Sequence, residues 1–242
     1  MSYLWHELVR LLFNILVFFY NILGHDMGLA IIAITILIRL ALWPSQAKAL
    51  RSQIALQKIQ PKIDELRKKH KDQAKQTKAL LEFYKENKVS PFSSCLPTLI
   101  QLPILIALYQ VLRVFTKPGS LNMIYPFIHR PESLNPMFLG FLDLSKPERF
   151  VLPVLAGIFQ FIQTRMIMGK NKPVQQGQQN AFQQALSNQM MYIFPVMMVI
   201  ISMSLPAALP LYWVVVTLLA ILQQYLIMRE GGPKLKISVR KR

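Results

Sequence analysis

Residues 27–43 read MGLAIIAITILIRLALW, an apolar run long enough to cross a bilayer as one helix, since a span needs about 17–25 mostly apolar residues. The run carries one charge, Arg39, and a charge at membrane depth costs roughly 2.5–3.5 kcal/mol on insertion scales. Such a residue normally faces a water-filled cavity or a partner, and Thr35 lies one helical turn before it on the same face. Arg39 is also near the C-terminal end of the run, so its side chain could instead extend to the cytoplasmic interface. This stretch alone leaves both interpretations open.

The composition of the whole chain is that of an integral membrane protein. Of its 242 residues 53% are hydrophobic and 16% are charged, and the net charge is +17. In a membrane protein this charge marks the cytoplasmic segments, so DNA is not an expected partner. The single cysteine, Cys95, excludes an internal disulfide. The sequence has no metal-ligand spacing, phosphate-binding loop or GxSxG motif, and we expect no metal, no cofactor and no catalytic residue.

The first apolar segment, residues 4–23, carries four polar residues on one narrow helical stripe: Glu7, Arg10, Asn14 and Asn21. The stripe favours an amphipathic helix that lies in the membrane interface, so that residues 1–26 form an interfacial helix and a turn. The length of the segment also permits a first transmembrane span, and that alternative stays open.

Residues 45–90 are polar and basic, with 12 Lys and Arg against 5 Asp and Glu. The segment contains no Gly and one Pro, and apolar residues such as Ile59, Ile63 and Leu80 recur at helical spacing. We predict a helical hairpin in the cytoplasm. Its positive charge could attract anionic headgroups or ribosomal RNA.

Four further apolar runs predict the remaining spans, at about residues 93–112, 151–168, 190–205 and 211–228, with a short connector at 206–210. The protein is therefore expected to be an all-α integral membrane protein with five spans. Segments assigned to the cytoplasm, including the basic tail 229–242, hold 21 Lys and Arg, and the outer segments hold 6. This asymmetry predicts a multi-pass protein with its N-terminus outside and its C-terminus in the cytoplasm.

Five stretches in order resemble the YidC/Oxa/Alb family of membrane-protein insertases, from about residue 20 to about residue 228. They are GLAIIAITILIRLALWP (28–44), LQKIQPKIDELRKKHKD (56–72), YKENKVSPFSSCLPTLIQLPILIALYQVL (84–112), FLDLSKPERFVLPVLAGIFQFIQ (141–163) and LPLYWVVVTLLAILQQYLI (209–227). The resemblance implies five core helices around a hydrophilic groove that is open to the cytoplasm and lipid but closed to the outside. It also implies that the groove is lined by Arg39, Thr35, Gln101, Gln160, Gln163, Tyr212 and Trp213.

The function expected from this resemblance is that of an insertase and chaperone for nascent membrane proteins, not an enzyme. The chain looks like the compact bacterial form without a large periplasmic domain. The absence of a transit-like N-terminus favours the bacterial inner membrane. The hairpin 45–90 and the basic tail are candidate contacts with the ribosome and with a Sec translocon. The sequence does not decide between Sec-dependent and independent action, and it leaves the substrate range and oligomeric state open.

Two other classes of function are alternatives to the insertase. A small anion or solute transporter could use Arg39 as an anion site, although the five predicted spans show no convincing internal repeat. An intramembrane enzyme is disfavoured because none of these spans contains Asp, Glu or His.

Overall fold

The computed structural model describes residues 3–69, 72–87, 89, 96–115, 119–168 and 189–230. These residues are mostly helical. Their helices are α1 (Tyr3–Ile22), α2 (Met27–Ala41), α3 (Trp43–Lys69), α4 (Gln73–Glu86), α5 (Leu96–Phe115), α6 (Val151–Met168), α7 (Phe194–Ser204) and α8 (Ala208–Arg229). A π-helical turn, Gln189–Ile193, leads into α7. A 3-10 helix (Ser120–Met123) and two short antiparallel strands, β1 (Met137–Phe138) and β2 (Leu142–Asp143), lie between α5 and α6.

The main hydrophobic core is formed by α1, α2, α5 and α8. Phe13 of α1, Ile34 of α2, Leu108 of α5 and Tyr212 of α8 are almost completely buried in it. On its other side α8 packs against α6, which also contacts α7. Gly157 makes the approach of α6 and α7 possible, because a Cβ at this position would overlap the side chain of Val199. Small residues allow such close helix contacts in membrane proteins.

The chain bends sharply where α2 meets α3. Asp26 begins α2 by accepting a hydrogen bond from the Leu29 N–H at 2.9 Å, as an N-cap residue does. At its other end α2 stops at Ala41, and the axis of α3 makes an angle of 68° with it. Pro44 lacks an N–H, so it cannot continue the hydrogen bonds of α2 but fits the first turn of a new helix. Helix α2 therefore ends two residues before the end of the predicted span 27–43, and Trp43 already belongs to α3.

Helices α3 and α4 run in opposite directions and share a small core of their own. Ile59 and Ile63 of α3 pack with Phe83 of α4. Asp72 caps the start of α4, where its side chain accepts hydrogen bonds from two backbone N–H groups. The cluster is separate from the main core. The pair therefore forms a distinct arm, which begins two residues earlier than the predicted boundary at residue 45.

The 119–150 segment lies over one end of the helix bundle and is held there by many side chain to backbone hydrogen bonds. Asn14 of α1 donates to the Met123 carbonyl oxygen at 3.0 Å and accepts from the Tyr125 N–H at 2.7 Å. The second carboxylate oxygen of Asp26 accepts from the Leu139 N–H at 2.6 Å, in the turn between β1 and β2. Leu139 and Gly140 have positive φ angles there, as tight hairpin turns require.

The remaining helix bounds differ from the predicted spans by a few residues. Helix α6 has the predicted bounds, whereas α5 extends three residues past the predicted end at residue 112. Residues 93–95 of that predicted span lie outside the described residues, as does most of the 169–189 loop. The connector predicted at 206–210 is shorter, because α8 begins at Ala208 and includes Pro210 in its first turn, where proline is tolerated.

By length and hydropathy, two helices among the described residues could cross a membrane alone, α1 and α8. A third is added if α2 and the start of α3 are counted as one bent span. Shorter apolar helical stretches of 10–17 residues lie at Gln101–Phe115, Val151–Ile167 and Met191–Ser204. The count of five spans therefore stays a prediction.

Candidate functional site

Arg39 lies in the last turn of α2, against the middle of α8. Its Nη2 atom donates to the Val216 carbonyl oxygen at 3.2 Å. Its Nε atom is buried and has no hydrogen-bond partner among the described residues. Neither of the two salt bridges found in the described residues involves Arg39. The guanidinium is thus a cation between two helices with a donor still available for another molecule.

Two of the predicted groove residues join Arg39 in one polar group. The Gln101 amide of α5 donates to the hydroxyl oxygen of Tyr212, on α8. The Tyr212 side chain is buried, with only 2% of its surface exposed. Tyr212 and the Arg39 guanidinium are close enough to interact electrostatically. This arrangement brings polar side chains from α2, α5 and α8 together at one depth of the bundle.

The other four predicted groove residues form no hydrogen bond with this group in the described part of the chain. Thr35 is 2% exposed, and its hydroxyl donates to the Ile31 carbonyl oxygen of its own helix at 2.6 Å. The Gln160 amide donates to Thr164 within α6 at 3.3 Å, and Gln163 is partly exposed on the same helix. Trp213 is partly buried and packs against the main core. The roles of these residues in a groove stay predictions.

Three glutamines that were not predicted as site residues are buried close to the α2–α3 bend. Gln223 is 3% exposed and donates to the Trp43 carbonyl oxygen at 3.1 Å. Gln224 is 1% exposed, and both its amide nitrogen and its oxygen lack a hydrogen-bond partner among the described residues. The buried oxygen of Gln46, on α3, also lacks a described partner. The sequence held a signal for the α8 pair, because two adjacent glutamines inside an apolar run cannot both face lipid at little cost.

We call Arg39, Gln46 and Gln224 the unpaired layer, because each has a buried polar atom without a described partner. Arg39 is three residues before the bend at Leu42, and Gln46 is four residues after it. The bond from Gln223 to Trp43 holds the adjacent Gln224 at the same level of α8. Along α8 the distance from Val216 to Gln224 is about 12 Å at 1.5 Å per residue. Each unsatisfied atom would cost about 1–3 kcal/mol in a dry interior, so this layer is suited to water or to polar groups of a ligand.

Two apolar helix faces flank this region and are exposed. On α6 the exposed residues follow each other at helical spacing, at Val154, Ile158 and Ile162. On α8, Leu218, Leu222 and Tyr225 form a similar face. Exposed stripes of this kind fit contact with lipid tails or with another apolar helix. Among the described residues, no group of three His, Cys, Asp or Glu side chains could hold a metal ion.

Comparison with protein families gives one match over most of the chain. The family model described as "60Kd inner membrane protein" matches residues 18–234. Among curated proteins, the membrane protein insertase YidC of Fusobacterium nucleatum is 35% identical over 209 residues, which are 86% of this chain and 88% of that protein. The membrane protein insertase MisCA of Bacillus subtilis is 36% identical over 219 residues, covering 88% of this chain and 73% of that protein.

Other relatives are much longer than this chain. The membrane protein insertase YidC of Magnetococcus marinus is 36% identical over 227 residues, which are 93% of this chain but only 36% of that protein. A crystal structure described as an active YidC insertase with the first transmembrane domain resolved has a TM-score of 0.58 and 30% sequence identity. The match covers 89% of this chain and 45% of the crystallised one. The chain therefore corresponds to about a third of the Magnetococcus protein and to less than half of the crystallised one.

Proposed function

The chain belongs to the 60 kDa inner membrane protein family, whose relatives reported above are membrane protein insertases, and we propose that it inserts nascent membrane proteins into the bacterial inner membrane by way of Arg39. The observation that carries this mechanism is the unpaired layer. Among the described residues the Arg39 guanidinium has no carboxylate partner, and amide atoms up to about 12 Å further along α8 are buried without partners. Such a set is stable at membrane depth only if the surrounding space is polar. Water would fill this space at rest, and a polar segment of a substrate would replace it during insertion.

The proposed membrane topology has five spans, formed by α2, α5, α6, α7 and α8. The excess of Lys and Arg places the α3–α4 arm and the residues after α8 in the cytoplasm and the 119–150 segment outside. This orientation puts the α2–α3 bend, and with it the unpaired layer, on the cytoplasmic side. The groove would then open to the cytoplasm, and the 119–150 segment would close the outer end.

Helix α1 is proposed to lie along the outer interface. The Trp5 indole donates to Gln110, within two turns of the outer end of α5, at 2.9 Å. Sixteen residues further along α1, the Asn21 amide donates to the His129 carbonyl oxygen at 2.6 Å, in the outer segment. In the proposed topology both ends of α1 would thus contact the outer side, whereas a spanning helix would have one end in the cytoplasm. The polar stripe of α1 faces the 119–150 segment rather than open water, since Asn14 and Asn21 bond to it.

Insertion would proceed in two coupled movements. The polar end of a substrate, preferably acidic, would be attracted to Arg39 through the hydrated layer. Its apolar helix would move along the exposed faces of α6 and α8 into lipid, which stabilises it by about 25 cal/mol per Å² of apolar area removed from water. No nucleotide is needed for this step. The driving force is the burial of the substrate helix.

The exposed basic side chains of the α3–α4 arm suggest how substrates arrive. Lys58, Lys69, Lys75, Lys78 and Lys85 are all exposed on it. Such a surface attracts ribosomal RNA or anionic headgroups, with an affinity that falls as salt rises. We propose the arm as the contact for a ribosome or a Sec translocon. The basic tail, which was predicted to share this role, lies outside the described residues from 231 onward.

The test is reconstitution of the full chain into vesicles with a short single-span protein, with insertion scored by protease protection. Arg39→Ala is expected to reduce insertion about tenfold or more, because a hydrogen bond to a charged group is worth about 1.5–3 kcal/mol. Arg39→Lys should retain most of the activity, since the requirement is positive charge. Arg51→Ala is the matched control, because its salt bridge to Glu230 is exposed and worth about 0–1 kcal/mol. Wild-type insertion by an Arg39→Glu variant would contradict the mechanism, and uptake of small anions by the vesicles would favour a transporter.

A further inference from the structure

A small apolar cavity lies at the outer end of the bundle, at the opposite end of α2 from Arg39. Its volume is about 80 Å³. The walls come from the start of α2, the end of α5, the 119–150 segment and the start of α8, with Met27, Leu112, Leu144, Ala208 and Leu209 among the lining side chains. Cavities with walls of this kind stay dry and accept apolar molecules. An apolar occupant is therefore favoured over water.

One cation is part of the cavity lining. Arg113 lies in the last turn of α5, and the Cζ atom of its guanidinium lies over the ring of Tyr109, 5.7 Å from the ring centroid. Both residues line the cavity and both are exposed. An arginine stacked on a tyrosine at the outer end of a membrane helix lies at the level of lipid headgroups. Its charge complements a phosphate group.

The exposed face of α5 continues from this cation toward the membrane centre. Leu102, Ile106 and Tyr109 are 38–48% exposed and share one helical face with Arg113. From Leu102 to Arg113 the helix rises about 16 Å. This length matches half of a hydrocarbon core that is about 30 Å thick, which is the depth of one leaflet. The stripe is thus as long as the acyl chain of an outer-leaflet lipid.

We propose that this place is a binding site for one phospholipid of the outer leaflet. The phosphate binds Arg113, a few methylenes of one acyl chain occupy the cavity beside Leu112 and Ala208, and the other chain lies along Leu102 and Ile106. The bound lipid fills the space between α5 and the 119–150 segment and so closes the outer end of the bundle. This site is separate from the unpaired layer; it rests on the membrane topology of the proposed function but not on the insertase mechanism.

The experiment is native mass spectrometry of the purified full chain after delipidation and titration with phosphatidylglycerol. We expect one phosphatidylglycerol bound per wild-type chain, and a diacylglycerol with the same acyl chains to bind about tenfold more weakly because it lacks the phosphate. Arg113→Gln should weaken phosphatidylglycerol binding by the same factor of about ten, and Arg113→Lys should retain binding. Arg149→Gln is the matched control, since this exposed arginine is outside the cavity lining.

A second variant tests the cavity independently of the charge. Ala208→Met places a longer side chain in the acyl-chain space, so it should weaken binding of both lipids while Arg113 is intact. Each variant is compared at equal helix content by circular dichroism. Equal lipid retention by wild type, Arg113→Gln and Ala208→Met would overturn the site. Displacement of phosphatidylglycerol by an uncharged apolar helical peptide would also overturn it, because the occupant would then be a protein segment.

Discussion

Replacement of Gln224 by leucine distinguishes a hydrated layer from a dry one. Both amide atoms of this residue are buried without a described partner. In a dry interior they would together cost about 2–6 kcal/mol, since each unsatisfied group costs about 1–3 kcal/mol. Gln224→Leu keeps a similar volume and removes both groups, so in a dry protein it would raise the free energy of unfolding by at least about 2 kcal/mol.

If water fills the layer, these atoms are already satisfied and the result reverses. We then expect the free energy of unfolding to change by less than about 1 kcal/mol, because a hydrated amide carries no desolvation cost that its removal could relieve. Insertion of a single-span substrate should fall severalfold, since the polar path to Arg39 is narrowed by an apolar side chain. The measurements are unfolding in mixed detergent micelles and protease protection in vesicles.

The adjacent glutamine supplies the control. Gln223→Leu removes a hydrogen bond to the Trp43 carbonyl oxygen, so it should lower the free energy of unfolding by about 1 kcal/mol. The two variants add the same side chain to the same turn of α8 but change different partners. A Gln224→Leu protein that is more stable by 2 kcal/mol or more, with insertion at the wild-type rate, would refute the argument that the layer is wet.

Three further predictions concern the frame that holds the site. Gly157→Ala should lower the free energy of unfolding by about 1–3 kcal/mol, because its Cβ overlaps Val199, and the double variant with Val199→Ala should recover most of it. Burial raises the pKa of the Glu148 carboxyl, but the hydrogen bonds from backbone N–H groups at the start of α6 together lower it by more. The pKa of Glu148 is therefore below its usual value. The resulting stability is present above the unfolded-state pKa and is lost as pH falls through the lower folded-state pKa; the melting temperature should therefore fall between about pH 5 and 3, and Glu148→Gln should remove that part of the pH dependence. Asn14→Leu removes the bond to the Met123 carbonyl oxygen, which keeps its bond from Arg10, and leaves the Tyr125 N–H without its described partner. We expect the free energy of unfolding to fall by about 1–3 kcal/mol and proteolysis within the 119–150 segment to become faster; an unchanged cleavage rate would contradict this attachment.

Hydrophobic periodicity and length were sufficient to predict where most helices lie. The family resemblance is confirmed by the match over residues 18–234. Helix α6 has the predicted bounds because polar residues precede its apolar run. The start of α8 was predicted three residues late, because Pro210 was interpreted as a linker residue although the first turn of a helix tolerates it. The bend after α2 was also missed, because an apolar run does not reveal where the helix axis changes direction.

Side-chain orientation was harder to predict than helix position. Arg39, Gln101 and Tyr212 do meet, but Thr35 turns its hydroxyl to its own backbone, an alternative that spacing on a helical face cannot exclude. Gln224 was missed because buried amides usually hydrogen-bond a neighbouring helix, and only the three-dimensional contacts show that this one has no such partner in the part of the chain that the structure describes.

The two ends of α2 are held in different ways, and this has a mechanical consequence. At its N-terminal end the Asp26 carboxylate accepts two hydrogen bonds, one from the Leu29 N–H and one from the Leu139 N–H. At its C-terminal end the helix stops at a bend of 68°, and the α3–α4 arm beyond it has its own core. A load applied to the arm therefore acts first on the last turn of α2, where Arg39 lies, and reaches the N-terminal end only through the full length of the helix. The end of the bundle beside the unpaired layer can thus deform while the end covered by the 119–150 segment keeps its shape.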